Sequence, residues 1–219
     1  MLKTALFYMG RYLLKVYTVF MLRLDFRNRN TLPKGPKIIV ANHPTTSDPF
    51  YLTALTKGRS SILIKDILFA IPVFGWYLRY TGHIPVAKLH GRAAFNEALN
   101  KLRNGISVII FIEGNVTGFL DKLSRPKTGA VRLALLTSTP IVPMGIGVDE
   151  RRILDINSTI SGVREIGRWY FSGPYSITMG RPIHLKGAGF DKEKVQFYSN
   201  KLMGIVKNLA KKSSDRIKN

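Results

Sequence analysis

Two side chains that could act together in acid–base chemistry lie five residues apart in the stretch ANHPTTSDPFY, residues 41–51. His43 precedes Pro44 and Asp48 precedes Pro49, and a residue before proline is disfavoured in the helical region of backbone space. The stretch therefore predicts an extended histidine, a turn, and a helix with Asp48 as its N-cap and Pro49 at its first position. Such a turn can bring the imidazole of His43 back to the carboxylate.

A histidine held in this way has a defined chemistry. A carboxylate that accepts a hydrogen bond from the imidazole Nδ1–H fixes the tautomer and leaves Nε2 free to act as a base. The two oxygens of Asp48 allow it to cap a helix and to hold His43 at the same time. A simpler alternative stays open at this point, in which Asp48 only caps a helix and His43 is a polar loop residue.

The sequence offers this base no recognisable nucleophile from the protein itself. There is no cysteine, and neither a G-x-S-x-G nucleophile elbow nor an H-E-x-x-H zinc motif occurs. The phosphate-binding P-loop and G-x-G-x-x-G patterns are also absent. A base without its own nucleophile would instead activate a hydroxyl group on a bound substrate.

The elements that must position these residues alternate between strand and helix patterns. Short apolar runs predict strands at residues 37–41, 61–65, 83–87, 107–111, 141–148 and 175–180. Helices are predicted at residues 49–57, 66–80, 90–104 and 129–137, and from Asp191 to a polar tail, KKSSDRIKN, that is expected to fray. This alternation predicts an α/β fold with a mixed, mostly parallel β-sheet flanked by helices. His43 and Glu113 each follow a strand end, where sites collect in such folds.

The N-terminal segment, residues 2–24, has the pattern of an amphipathic helix. Its apolar face is formed by Leu6, Met9, Leu13, Val16, Tyr17, Phe20 and Leu24, and its opposite face by Lys3, Thr4, Arg11, Lys15 and Thr18. Charged residues interrupt the segment well before the roughly 18 apolar residues that a membrane span needs. We interpret residues 1–30 as a membrane-anchoring helix that lies in the interface and residues 31–219 as the main domain. A core-packing helix is the alternative.

The charge balance indicates an anionic partner. The chain has 34 Lys and Arg against 13 Asp and Glu, which gives a net charge of +21. Because the basic residues alternate with aromatic and aliphatic residues, this pattern favours an anionic membrane surface over nucleic acid. The sequence also lacks the spacing of the common nucleic-acid-binding modules.

With these residues in view, the chain resembles the glycerolipid acyltransferase family of the 1-acyl-sn-glycerol-3-phosphate (lysophosphatidate) acyltransferase type. The first motif of that family, NHxxxxD, is matched by Asn42, His43 and Asp48. A second block contains a lysine–acid pair, an apolar segment with Pro and Gly-Trp, and a Gly-x-Ile-x-Val strand. Residues 65–88 match this block.

Further matches follow in the order of the family. The third motif, Phe-Pro-Glu-Gly-Thr-Arg-Ser, is matched in part by FIEGNVT, with Phe111, Glu113 and Gly114 in register. A Lys-x-Gly-Ala run follows at residues 127–130, and a Val-Pro strand at residues 142–143. Order and spacing agree over most of the chain, which makes this resemblance far more specific than the first motif alone.

The resemblance implies an O-acyltransferase whose domain occupies residues 31–219. It implies that a fatty acyl chain moves directly from a thioester donor to the free hydroxyl of a lysolipid, with His43 as general base and Asp48 orienting it. The implied acceptor is 1-acyl-sn-glycerol-3-phosphate, which would become phosphatidate. The positions implied in substrate binding are Asn42, Lys65, Lys88, Glu113, Gly114, Asn115 and Lys127.

The same resemblance implies no cofactor and no metal ion, with acyl-CoA or acyl-acyl carrier protein as the co-substrate. The expected partners are anionic membrane lipids, the lysolipid acceptor and the acyl donor, and not nucleic acid. The expected location is the cytoplasmic face of the cell membrane, with peripheral or monotopic attachment.

The chain departs from the family pattern where a phosphate would bind. The family arginine of the third motif falls at Val116, its Ser/Thr neighbour at Asn115 and its proline at Ile112, while the second-motif arginine is Lys88. Either another cation replaces the arginine or the acceptor carries no phosphomonoester. The candidate cations are Lys65, Lys88, Lys122, Arg125 and Lys127. The alternatives are therefore an acyltransferase for a different lipid hydroxyl and a non-catalytic basic membrane-binding protein.

Overall fold

A computed structural model describes residues 2–87, 91–116, 125–185 and 191–218. Its helices are α1 (Leu2–Met21), α2 (Asp48–Leu55), α3 (Phe74–Thr81), α4 (Gly91–Arg103), α5 (Gly129–Thr137) and α6 (Lys192–Lys218). Its strands are β1 (Leu22–Arg27), β2 (Ile38–Ala41), β3 (Ser60–Lys65), β4 (Ile84–Val86), β5 (Ser107–Phe111), β6 (Ile141–Val148), β7 (Ile153–Ile160), β8 (Val163–Tyr170) and β9 (Gly173–Met179).

Seven of these strands form one sheet in the order β1-β9-β6-β2-β5-β3-β4. Neighbouring strands are parallel except for β6 and β9, which run antiparallel. The prediction of a mixed, mostly parallel sheet flanked by helices is confirmed. The strands β7 and β8 pair only with each other.

The central strands are buried on both faces. All residues of β2, β5 and β6 are buried, which explains their continuous apolar sequences. Alternate side chains enter two cores. Ile39 and Ile109 pack in the core that α2 and α3 cover, whereas Ile38 and Val108 pack in the core that α4, α5 and α6 cover.

The carboxyl ends of β2 and β5 lie side by side at one edge of the sheet. Ala41 is the register partner of Phe111, and the backbone N–H of Ile112 donates to the carbonyl of Ala41 at 3.0 Å. The segments that follow, residues 42–48 and 112–116, therefore leave the sheet next to each other. This arrangement positions the candidate site.

The single helix predicted at residues 66–80 is wrong. A 3₁₀ helix covers Asp66–Ala70 and α3 begins only at Phe74. Pro72 lacks a backbone N–H, and Val73 turns the chain with a φ of +61°. A side chain at Gly75 would lie 2.1 Å from the carbonyl oxygen of Phe69. The apolar pattern of the segment thus conceals a sharp bend that only a glycine permits.

The prediction of a frayed C-terminal tail is also wrong, because α6 continues to Lys218. Ser213 is buried and donates to the carbonyl of Gly145 at 2.8 Å. Arg216 contacts Asp25 and donates to Ser176 at 2.6 Å. The polar residues that suggested fraying are the ones that attach the helix end to the sheet.

Three strands escaped the sequence interpretation. The apolar pattern of α1 continues into β1, so the predicted helix at residues 2–24 extended past its true end at Met21. The β7–β8 hairpin lies in a stretch with no strand prediction. Its turn, Ser161-Gly162, has positive φ at both residues, as a type I′ hairpin turn requires. A Ser-Gly pair between alternating residues was the available signal.

The N-terminal helix packs against the protein through its more polar face. Phe7 and Thr18 are its buried residues, and Arg11 donates to the carbonyl of Gly58 at 2.9 Å. The predicted apolar face instead points outward, with Leu13 and Phe20 exposed, Phe20 at 80%. The helix thus has one face packed on the protein, which includes Phe7, and one exposed apolar face, and its attachment to a membrane stays a prediction. Among the described residues, no helix combines the length and apolarity needed to cross a bilayer.

Candidate active site

The loop between β2 and α2 brings His43 and Asp48 into contact. Nδ1 of His43 lies 3.0 Å from Oδ2 of Asp48. Asp48 is fully buried, whereas the His43 side chain is 13% exposed. With Nδ1 engaged by the carboxylate, Nε2 is the ring nitrogen left for a substrate group.

Asp48 accepts hydrogen bonds from three further donors. The backbone N–H and the hydroxyl of Thr45 donate to Oδ2 and Oδ1, each at 2.7 Å. The hydroxyl of Tyr175 on β9 donates to Oδ1 at 2.9 Å. Both oxygens are thereby engaged, so the orientation of the carboxylate behind His43 is fixed.

The prediction that Asp48 caps α2 is wrong. The helix begins at Asp48, with Ser47 before it and Pro49 as the second helical residue. The carboxylate turns back to Thr45 and Tyr175 and makes no capping bond to the helix. The physical reason is that these buried donors, together with the imidazole, offer a complete set of hydrogen bonds.

The tyrosines behind Asp48 remain protonated donors. Burial raises the pKa of Tyr175 well above its usual value, and the charge of Asp48 adds to this rise. Burial likewise raises the pKa of Tyr51, whose hydroxyl donates to the carbonyl of Tyr170 at 2.5 Å. No sequence signal identified Tyr175, because it lies 127 residues from Asp48 along the chain.

An aromatic ring also packs against one face of the His43 imidazole. It stacks on Phe111, with ring centroids 3.8 Å apart and planes inclined by 16°. Since Phe111 ends β5, the neighbouring strand fixes the plane of the ring while Asp48 fixes its rotation.

Asn42 fastens the end of β2 to β6. Its amide N–H donates to the carbonyl of Ile146 at 2.9 Å, and its amide oxygen accepts from the N–H of Ile146 at 2.7 Å. Asn42 is buried. Its side chain therefore acts on the position of the adjacent His43 through the backbone.

Glu113 is a buried acid whose side chain has no hydrogen-bond partner among the described residues. It is 1% exposed, and neither Oε1 nor Oε2 has a hydrogen-bond partner within the described part of the chain. Burial raises the pKa of Glu113 to about 8, the charge of Lys207 opposes the rise, and that of Asp48 adds to it. The side chain is therefore mainly neutral at pH 7 and can donate a proton in a hydrogen bond.

Gly114 and Lys127 lie against each other beside Glu113. Gly114 has a φ of +75°, and a side chain there would lie 3.4 Å from Cγ and Cε of Lys127. The backbone N–H of Lys127 donates to the carbonyl of Ile112 at 2.9 Å. Asn115 and Lys127 are exposed. The segment that follows β5 thus places Lys127, one of the predicted substrate-binding lysines, next to the end of that strand.

The other predicted lysines are differently placed. Nζ of Lys65, at the end of β3, lies 2.9 Å from Oε2 of Glu165 on β8. This ion pair is largely exposed to solvent. Lys88 and Lys122 lie outside the residues that the structure describes.

The β7–β8 hairpin is hydrogen-bonded directly to the loop that carries His43. The backbone N–H of Thr46 donates to the carbonyl of Arg168 at 2.7 Å, and the N–H of Arg168 donates to the Thr46 hydroxyl at 3.0 Å. The N–H of Tyr170 donates to the Ser47 hydroxyl at 3.1 Å. These contacts explain the Thr-Thr-Ser run inside the motif, which sequence reasoning left without a role.

The donor set of the site suits an organic substrate. In residues 2–87, 91–116, 125–185 and 191–218, no three His, Asp or Glu side chains are grouped so that they could hold a metal ion. The adjacent ends of β2 and β5 are followed by the base His43 and the neutral acid Glu113, and the stem of Lys127 lies over Gly114. Such a set can take a hydroxyl proton beside an anionic or polar head group.

Comparison with known proteins defines the class. A family model described as Acyltransferase matches residues 23–147, which is more than half of the chain. The chain belongs to the acyltransferase family, and the resemblance found in the motifs is confirmed.

Two curated relatives are described as 1-acyl-sn-glycerol-3-phosphate acyltransferases. A 1-acyl-sn-glycerol-3-phosphate acyltransferase of Pseudomonas aeruginosa is 27% identical over 174 residues, which cover 77% of this chain and 62% of that protein. A chloroplastic 1-acyl-sn-glycerol-3-phosphate acyltransferase of Brassica napus is 31% identical over 135 residues, which cover 57% and 38% of the two chains. The chain therefore spans less than two thirds of the length of either relative.

One solved structure shares the fold. It is the 1-acyl-sn-glycerophosphate acyltransferase PlsC from Thermotoga maritima, with a TM-score of 0.68 and 22% sequence identity. The likeness covers 96% of this chain and 78% of the other. The α/β architecture described above is thus the architecture of a known acyltransferase.

Proposed function

We propose that this protein transfers a fatty acyl chain from a thioester to the free hydroxyl of a lysolipid. The preferred acceptor is 1-acyl-sn-glycerol-3-phosphate, and the product is phosphatidate. The observation that carries the proposal is the 3.0 Å contact between His43 and Asp48 at the end of β2, in a chain of the acyltransferase family. The relatives described as 1-acyl-sn-glycerol-3-phosphate acyltransferases support this acceptor.

His43 serves as the base in this reaction. Nε2 takes the proton of the acceptor hydroxyl while the hydroxyl oxygen attacks the thioester carbonyl. Asp48 stabilises the imidazolium that forms. The tetrahedral intermediate collapses with cleavage of the C–S bond, and the imidazolium returns the proton to the leaving thiolate. The acyl chain moves in one transfer, without an acyl-enzyme.

Glu113, Gly114 and Asn115 form the wall beside the acceptor. Because Glu113 is buried and mainly neutral at pH 7, it donates a hydrogen bond to the bound glycerol moiety or its head group. The substrate then supplies the partner that the acid lacks. Gly114, with no side chain, leaves room for this approach.

Lys127 takes the position of phosphate cation in our proposal. Its stem lies over Gly114, one residue from Asn115 and two from Val116, where the family has its arginine. The structure gives it no carboxylate partner among the described residues. Lys65 is engaged by Glu165, so it can bind a phosphate only by leaving that ion pair.

The donor in this proposal is acyl-CoA or acyl-acyl carrier protein, and no further cofactor takes part. The protein attaches to the cytoplasmic face of the membrane through the outward face of α1, where Leu13, Val16 and Phe20 are exposed. Residues 1–30 then form the interface element and residues 31–219 the acyltransferase domain. Lysine and arginine residues around this face add attraction to anionic lipids.

The decisive variant is His43→Ala. Loss of a general base lowers turnover by about 10²–10⁴-fold, so labelled acyl transfer to a lysolipid should fall by at least that lower limit. The matched control is His184→Ala, since His184 is exposed and lies near the opposite ends of the strands. Transfer at the parent rate in His43→Ala would remove the proposed base.

The acceptor is tested with the parent protein on a panel of lysolipids. Val116 favours one second candidate, an acyltransferase for a lipid hydroxyl without a phosphomonoester, because valine cannot pair with phosphate. Faster transfer to lysophosphatidate than to lysolipids with a substituted phosphate or a sugar supports the first candidate. The reverse order supports the second. No transfer to any acceptor would leave a basic membrane-binding protein.

A further inference from the structure

The β7–β8 hairpin carries apolar side chains into solvent. Leu154, Ile156 and Val163 are exposed on one face of the ribbon, Leu154 at 54%, and the strand register places Ile166 on the opposite face. The hairpin is a separate two-stranded sheet, and such a ribbon needs a packing partner for its stability. Its base has one, because Tyr170 is buried in the core. Nearer the turn, Glu165 pairs with Lys65, while Leu154 and Ile156 stay exposed.

This apolar surface lies next to the outward face of α1. The hydroxyl of Tyr17 donates to the carbonyl of Phe171 at 2.5 Å, so the base of the hairpin touches the helix. Phe171 is itself exposed and stacks with Trp169, with centroids 5.9 Å apart. The exposed residues of α1 and of the hairpin therefore continue into one another across this contact.

The charges of the hairpin suit an anionic surface. Its two strand carboxylates are both neutralised, since Asp155 lies 3.9 Å from Arg168 and Glu165 lies 2.9 Å from Lys65. Arg164, near the turn, is exposed and has no carboxylate partner in the described part of the chain. An exposed apolar group with net positive charge matches anionic lipid head groups above an acyl layer.

We propose that the β7–β8 hairpin is a second membrane contact, which inserts the face of Leu154, Ile156 and Val163 into an anionic bilayer beside α1. The inference rests on the membrane location of α1 under the proposed function. It adds a physical link to the site, because the hairpin is bonded to Thr46 and Ser47. Contact with lipid then holds the His43 loop at the surface where the lysolipid resides.

The absence of cysteine from the chain permits a clean test. Single variants Leu154→Cys, Phe20→Cys and Phe197→Cys are labelled with a polarity-sensitive fluorophore and mixed with vesicles of phosphatidylglycerol or phosphatidylcholine. Phe197 is the matched control, because it is 63% exposed on α6, which covers the other face of the sheet. All three sites are exposed, so the label leaves the core intact.

Phosphatidylglycerol vesicles should shift the emission to the blue at residues 20 and 154 and leave it unchanged at residue 197. A shift at 20 without one at 154 overturns the hairpin contact and keeps the α1 proposal. No shift at either position overturns both. A shift at 154 that grows with protein concentration before vesicles are added indicates a contact between copies, which also overturns the proposal.

Partition of an unlabelled variant gives an independent measurement. Leu154→Asp places a charge where we expect acyl chains, so it should lower the fraction that floats with phosphatidylglycerol vesicles by about tenfold. Phe197→Asp should float like the parent, and thermal unfolding shows whether both variants are folded. Equal flotation of Leu154→Asp and the parent would contradict the insertion.

Discussion

Asp48 and Glu113 are buried acids that follow two adjacent parallel strands, and their surroundings are opposite. Asp48 receives hydrogen bonds from His43, Thr45 and Tyr175. Glu113 receives none from the described residues, and burial raises its pKa to about 8. The protein thus completes the environment of one acid before any substrate arrives and leaves the other incomplete.

This difference distinguishes Asp48, which positions the base, from Glu113, which in our proposal has a hydrogen-bond partner only when a ligand is bound. A carboxylate with all its acceptor sites filled cannot reach toward a substrate, so Asp48 acts through His43. An acid with unused oxygens in a buried place is costly. Such a cost is tolerated where a bound molecule supplies the missing partner, and Glu113 follows β5, the neighbour of the strand that precedes His43.

The largest effect should come from Asp48→Asn, which disrupts the full set of hydrogen bonds around the carboxylate. An amide turns one acceptor into a donor that opposes Thr45 and His43, and it can leave the imidazole in the wrong tautomer. We expect turnover to fall about a thousandfold and the unfolding temperature to fall as well. Acyl transfer and thermal unfolding measure the two effects. The control is Asp215→Asn, an exposed acid on α6. Parental turnover would contradict the positioning role.

A second change, Glu113→Gln, should alter how stability depends on pH. In the folded protein the pKa of Glu113 is raised to about 8. Between the usual carboxyl pKa and pH 8, the folded state therefore holds a proton that the unfolded state has lost. The parent should therefore lose stability as pH rises from about 5 to 8, by up to about 1.4 kcal/mol per pH unit. The amide cannot ionise, so the variant should lack this loss.

Thermal unfolding of both proteins from pH 5 to pH 9 measures the difference. Each of the other titratable groups is common to parent and variant, so the variant-minus-parent stability isolates Glu113 and should rise with pH. Glu97→Gln, on the exposed side of α4, should show no such trend. A difference that stays constant across this range would mean that Glu113 is already ionised at pH 5.

The smallest effect should come from Tyr175→Phe. It removes one donor to Oδ1 of Asp48 and leaves the Thr45 hydroxyl on the same oxygen. We expect a stability loss of about 1–3 kcal/mol and a turnover loss of roughly tenfold or less. Chemical unfolding and acyl transfer give the two values, with exposed Tyr12→Phe as the control. A loss as large as that of Asp48→Asn would mean that Tyr175 also contacts the substrate.

Local pattern predicted the sheet well and the bends poorly. The strands at residues 107–111 and 141–148 were placed correctly, because a strand buried on both faces is a continuous apolar run. The apolar run at residues 66–80 obeys the same rule, yet it contains the turn at Val73. Burial decides which residues are apolar, and the backbone path through them is decided by neighbours such as Phe69.

The hairpin and the end of α6 failed for a related reason. Strands β7 and β8 are mostly exposed, so they lack the apolar signature of the other strands. The tail that ends α6 is polar because Ser213 and Arg216 bond to the sheet, and polarity alone indicated solvent. In both cases the deciding contacts join residues that are remote in sequence.

The sequence by itself determined the class of protein, the order of its elements and the His43–Asp48 pair. Those features depend on motif spacing and on local preferences, which a linear pattern carries. Only the tertiary structure decided that Asp48 points away from its helix, that Tyr175 supports it, and that Glu113 is buried without a partner. These properties depend on burial and on contacts across more than a hundred residues, and neither is written in the local pattern.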